Sequence, residues 1–164
     1  MIVLGIDPGT AITGYGIIQE KKDSSLLVID YGSIKTSAKL KDWDRLVILY
    51  QRISELIDQY HPDHGAVEKL YFQQNVTTAI SVGQAKGVIL LAMAEHHFVI
   101  GEYSPLEVKQ AITGYGKATK VQIQRMITTL LGLPEIPTPD DVADALAIAV
   151  CHINSRNFVK LISE

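Results

Sequence analysis

Residues 2–35 read IVLGIDPGTAITGYGIIQEKKDSSLLVIDYGSIK. Three β-rich runs, IVLGI, TGYGIIQ and LLVIDYGSIK, are separated by two short links, DPGT and EKKDSS. In the first link Asp7 opens a turn, Pro8 fixes φ and Gly9 follows. Links this short join neighbouring strands, so the stretch predicts an antiparallel three-stranded meander. Glycines within the second run mark close backbone approach or strong twist.

Downstream the pattern alternates. Leu46, Leu49, Ile53, Leu56, Ile57 and Tyr60 recur every three or four residues, which predicts an amphipathic helix over 40–61. HGAVE (64–68) reads as a short buried strand that stops at Glu68, and KLYFQQN (69–75) as a loop. VTTAISVGQAKGVILLAMAEHH (76–97) is a long helix, and FVIGE (98–102) a fifth strand. Ser104, Pro105 and Glu107 form a capping-box signature ahead of another helix. TKVQIQRMITTLLGL is capped by Thr119 and stopped at Gly132. The last helix follows PTP, with Thr138 as N-cap and Pro139 next. The order predicts an α/β fold, a mixed five-stranded sheet covered by helices.

A length of 164 residues implies one domain, 1–164, able to bury its own core. The single cysteine, Cys151, excludes an internal disulfide and suits a reducing cytoplasm. MIVLGI is too short an apolar run for a signal peptide or a membrane span, so a cytoplasmic protein with no membrane role is expected. Net charge is −3, with 15 Lys+Arg against 18 Asp+Glu, which argues on charge alone against nucleic acid. The distribution softens this: Lys69–Leu133 holds six basic residues and three acidic ones.

The acids carry the chemistry. Asp7 ends the first strand, where it is also ordinary turn chemistry. Glu68 ends the fourth, where a solvated strand end is the plain alternative. Asp140 and Asp141 open the last helix, and the macrodipole favours carboxylates there. Asp144 is different. It lies beyond the first turn, on the face of Asp141, in a helix otherwise made of Ala, Val, Leu and Ile. A carboxylate there is costly unless paired or metal-bound, although an exposed stripe would also accommodate it. If the first and fourth strands are parallel neighbours, Asp7 and Glu68 meet at a sheet end. Oxygen donors of this kind suit Mg²⁺ or Mn²⁺, and no HExxH or Cys/His spacing favours zinc. A carboxylate-only site fits two-metal phosphoryl chemistry, with ions about 3.5–4 Å apart.

GIDPGTAITGYGII, AVE at 66–68, NVTTAISVGQAKG and DDVADALAIA occur in this order through nearly the whole chain. Together they resemble the RuvC family of Holliday-junction resolvases, in the ribonuclease H-like superfamily. The resemblance implies five strands, the first three antiparallel, with helices on both faces. It implies metal-binding and catalytic roles for Asp7, Glu68, Asp141 and Asp144, with two Mg²⁺ per site and Mn²⁺ as a substitute. Tyr71 matches an aromatic that stacks on a base near the crossover, with Phe72 beside it. Lys109 and Lys120 match lysines that support phosphate binding, and Lys117 is a third candidate from the same loop. The helix near 76–95 would form a homodimer contact, and RuvA and RuvB would be partners. Each also has a plain reading: the aromatics as loop packing, the lysines as solvated charges. Lys120 sits in a first helical turn, where the dipole slightly disfavours a cation.

The function implied is Mg²⁺-dependent nicking of two opposed strands of a four-way DNA junction, in recombination and repair. Two readings compete. GIDPGT alone also resembles the first phosphate loop of actin-like phosphotransferases and ATPases, which need a second such domain. A junction-binding module without catalysis is the other.

Overall fold

Residues 1–69 and 76–163 are described by a computed structural model. The elements are β1 (Ile2–Asp7), β2 (Ile12–Glu20), β3 (Leu26–Lys35), α1 (Asp42–Tyr60), β4 (His64–Glu68), α2 (Val76–Glu95), β5 (Val99–Tyr103), α3 (Pro105–Thr113), α4 (Lys120–Leu130) and α5 (Asp140–Ser163). The sheet order is β3-β2-β1-β4-β5. β1, β2 and β3 pair antiparallel, whereas β4 joins β1 and β5 joins β4 in parallel. This is the mixed sheet expected, and β1 and β4 are parallel neighbours.

Strand side chains alternate between faces, and this alternation builds two cores. Leu4, Ile6, Ile17 and Val67 join Leu49, Ile53 and Ile57 of α1 and Ile89 and Met93 of α2. Val3, Ile18 and Ala66 join the other cluster, with Leu146 and Ile148 of α5, Val108 of α3 and Ile127 of α4. Counting in twos from Val3 and Ala66 puts Gly5, Asp7 and Glu68 on the α5 side. The sequence period of β1 and β4 therefore aims both acids at the helix that carries the other two.

α5 is buried nearly all round because it is sandwiched between the sheet and the pair α3 and α4. Its approach to the sheet needs bare backbone. A Cβ on Gly5 would overlap the Ala145 carbonyl oxygen, and one on Gly14 the Asp141 carbonyl oxygen. Gly14 is the cross-strand partner of Asp7. The β2 glycine beside the first acid is thus the seat of the first turn of α5.

Two local readings shift. Strand β5 runs Val99–Tyr103, one residue later than FVIGE. Helix α5 starts at Asp140, and the Pro139 carbonyl accepts from the Val142 amide at 3.0 Å. Pro139, not Thr138, therefore precedes the helix. Asp144 is the fifth residue of the helix, just past the first turn in which the dipole rewards a carboxylate. The capping box of α3 forms as read, Ser104 with Glu107; Thr119 caps α4 as read, and Gln122 completes a second box that the sequence reading did not name. These caps fix the helices that bring Lys109 and Lys120 to the site. Among the described residues no helix is long and apolar enough to cross a membrane.

Candidate active site

Asp7 stands at the end of β1, Glu68 at the end of the neighbouring β4, and Asp141 and Asp144 on α5 across from them. Glu68, Asp141 and Asp144 are all close enough to act on Asp7. Burial raises the Asp7 pKa from 3.8 to about 8; the charges of Glu68, Asp144 and Asp141 push it further in the same direction, and only Lys120 opposes them. Among the described residues no donor hydrogen-bonds the Asp7 carboxylate. Burial also raises Glu68, with Asp144 adding to it while Lys120, Lys86 and Lys109 oppose. Asp144 is raised first by burial, against the pull of Lys120.

Lys120 is the counter-ion already in place. Its Nζ lies 3.0 Å from Asp144 Oδ2 and 3.3 Å from Asp140 Oδ2. Burial works against its charge, but the two carboxylates more than offset this and lift its pKa above the ordinary lysine value. A cation in the first turn of α4 is thereby explained: it faces the acidic first turns of α5. Glu68, Lys109, Lys120 and Asp144 line one cleft of about 210 Å³. Asp141 lies in another, of about 510 Å³, with Gly9, Thr10 and Arg45.

Among the described residues no three His, Cys, Asp or Glu side chains form a closed cage for an ion. The site nevertheless fits hard divalent cations. Asp7 is desolvated, lacks a donor and faces three further carboxylates, and binding a cation is the change that relieves all of this. Asp144 would have to give up Lys120 to join.

The family model described as crossover junction endodeoxyribonuclease RuvC matches residues 3–152. The chain belongs to the RuvC family. The RuvC of Caldicellulosiruptor saccharolyticus is 57% identical over 159 residues, covering 97% of this chain and 96% of that one. The RuvC of Halothermothrix orenii is 58% identical over 155 residues, covering 94% and 93%. The solved structure of Thermus thermophilus RuvC in complex with Holliday junction substrate superposes with a TM-score of 0.88 at 31% identity, covering 96% of each chain. The fold is accordingly the RuvC-type, ribonuclease H-like sheet that the motifs implied.

Of the lysines matched to RuvC, Lys109 and Lys120 reach the cleft of Glu68 and Asp144. Lys117 is exposed in the loop before α4. Tyr71 and Phe72 lie outside the described residues. One charged group escaped the sequence reading. Lys86, on α2, is buried, pairs with Glu102 of β5, and is among the cations opposing the shift of Glu68. The signal was available: a lysine in the apolar half of a burying helix poses the same question as Asp144.

Proposed function

We propose that this chain is a homodimeric, Mg²⁺-dependent endonuclease that resolves four-way DNA junctions by nicking two opposed strands. The observation that carries the reading is the convergence of Asp7, Glu68, Asp141 and Asp144 on one desolvated spot, in a chain of the RuvC family. The whole chain, 1–164, acts as one nuclease domain. Asp7, Glu68, Asp141 and Asp144 would hold the Mg²⁺ ions, two per site, and Mn²⁺ would be able to replace them. The chemistry a pair of such ions supplies is activation of water and stabilisation of the leaving 3′ oxygen. The chain's own residues do the rest. The four carboxylates set the position. Asp144 serves either Lys120 or a cation, and Lys120, once released, is a donor for a phosphate oxygen. Lys109 lines the same cleft, Lys117 reaches DNA from the exposed loop, and Tyr71 with Phe72 stacks on bases near the crossover.

A synthetic four-way junction run beside plain duplex, each with and without Mg²⁺, tests this directly. Paired nicks on the junction alone, only with Mg²⁺, are expected. Binding without nicking would move the reading to an inactive module.

The dimer contact proposed is α2. Ile80, Gln84, Gly87 and Leu91 form one exposed stripe at helical spacing, with Ile80 57% and Leu91 53% exposed. A Cβ at Gly87 would meet nothing within 4 Å, so the described residues give no reason for glycine in mid-helix, which costs about 1 kcal/mol against alanine. A second helix passing there supplies one. Gly87→Arg is expected to elute as a folded monomer and to lose paired nicking; a dimeric variant would rule α2 out. Two-fold symmetry would then match the junction's own. Family membership makes RuvA and RuvB the expected partners, and a cytoplasmic setting fits DNA processing.

A further inference from the structure

Arg45 is a cation held in place beside the acids, on the side away from the lysines. It comes from the first turn of α1, and its side chain is only 13% exposed. Its Nε donates to Thr36 Oγ1 at 2.9 Å. The Thr36 hydroxyl donates in turn to the Thr10 carbonyl at 2.5 Å, and the Thr10 hydroxyl donates to the Ser81 carbonyl at 2.9 Å. Thr36 and Thr10 thus link α1, the residue after β3, the turn after Asp7 and α2 around a single guanidinium. The bond from Arg45 and the bond that Thr36 passes on reinforce each other and hold the Thr36 rotamer.

The seat uses only one of the five guanidinium N–H groups. Asp42 Oδ1 stands 3.9 Å from Nη1, too far for a hydrogen bond, and no other partner occurs among the described residues. Arg45 lines the 510 Å³ cleft with Gly9, Thr10 and Asp141, where it is the only cation among the described residues. The two α5 acids therefore look into different clefts. Asp144 shares its cleft with Lys109 and Lys120, and Asp141 shares its own with Arg45. Asp7 feels both acids. A polyanion crossing the carboxylates would meet cations before and after them, which offsets the repulsion of four acids from a phosphate chain.

We propose that Arg45, seated by Thr36 and Thr10, binds a backbone phosphate of the cleaved strand on the Asp141 side of the acids, opposite the phosphate met by Lys109. This rests on the nuclease reading above. A planar fork with unused donors suits phosphate, and a buried anchor fixes its position. Arg45 is a positioning residue: it sets the strand's register over the acids and takes no part in bond cleavage.

The test is a scan of single neutral methylphosphonates along the cleaved strand of a junction. Wild type is expected to slow at separate positions on the two sides of the scissile bond. Arg45→Gln is expected to lower kcat/KM by about tenfold on the all-phosphate strand. It should also lose sensitivity at one position only, on the side opposite the position that Lys109→Gln loses. Its log–log salt slope for junction binding should fall by about 1. Thr36→Val keeps the cation but removes its seat, so it should blunt the same position in part, as should Arg45→Lys. These two carry the test if Arg45→Gln does not fold. A wild-type profile in the Arg45 variants, with or without a lower melting temperature, would reduce Arg45 to a structural role and overturn the proposal. So would loss at the Lys109 position. A wild-type chain that cuts no junction would instead overturn the nuclease reading itself.

Discussion

Asp7→Asn is expected to lower junction nicking by about a thousandfold or more, while junction binding stays within a few-fold of wild type. The size follows from removing the one acid that faces all three others, at a centre worth several kcal/mol of charge stabilisation. Binding is expected to survive because the residues proposed to contact DNA are others. The same variant has a signature without DNA. The folded protein holds the Asp7 proton more tightly than the unfolded chain does, with a pKa of about 8 against 3.8. The stability this contributes is full below 3.8 and is lost as pH rises through about 8. Glu68 and Asp144, both raised, tilt stability the same way. In chelator, wild type should therefore melt lower at pH 9 than at pH 5, and Asp7→Asn should flatten the slope. At pH 8, Mg²⁺ should raise the melting temperature of wild type more than that of the variant. Wild-type nicking by Asp7→Asn would remove this residue from the site.

Gly14→Ala is expected to damage the protein out of proportion to one methyl group. The new Cβ would collide with the backbone carbonyl of Asp141, which no rotamer change can avoid. Either β2 yields or the first turn of α5 lifts. Overpacking of this kind costs about 1–3 kcal/mol, and each kcal/mol lowers the melting temperature by roughly 2–4 °C in a chain of this size. The activity loss should be larger than the stability loss implies. Asp141 and Asp144 ride on the displaced turn, and a shift of about 1 Å near reacting groups costs on the order of a hundredfold. Calorimetry beside the junction assay separates the two effects. An unchanged melting temperature and unchanged nicking would mean that α5 does not rest on β2 as described.

Much of this was legible in the residues. The meander follows from two links too short for a crossover. The capping box of α3 follows from Ser104 with Glu107, and the start of α4 from Thr119. Asp144 stood out because a buried helix gives a lone carboxylate no local reward. Other features were out of reach for one physical reason: they depend on groups far apart in the chain. Lys120 looked misplaced in its own helix until α5 placed Asp140 and Asp144 against it. Arg45 carried no signal, since an arginine in the first turn of an amphipathic helix is ordinary until Thr36 and Thr10 hold it. Gly14 read as a place of close backbone approach or strong twist, and the approach is real; only the tertiary structure shows that α5 is what comes close.

The sequence by itself determined the elements, the alternation that points Asp7 and Glu68 to one face, and the pairing of Asp141 with Asp144 one turn apart. Those are properties of local geometry, set by periods of 2 and 3.6. Tertiary structure alone decided that the two pairs meet, which cation answers which acid, and that two clefts flank them. Burial and charge act through space, so a pKa of about 8 at Asp7 exists only once β1, β4 and α5 have closed around it.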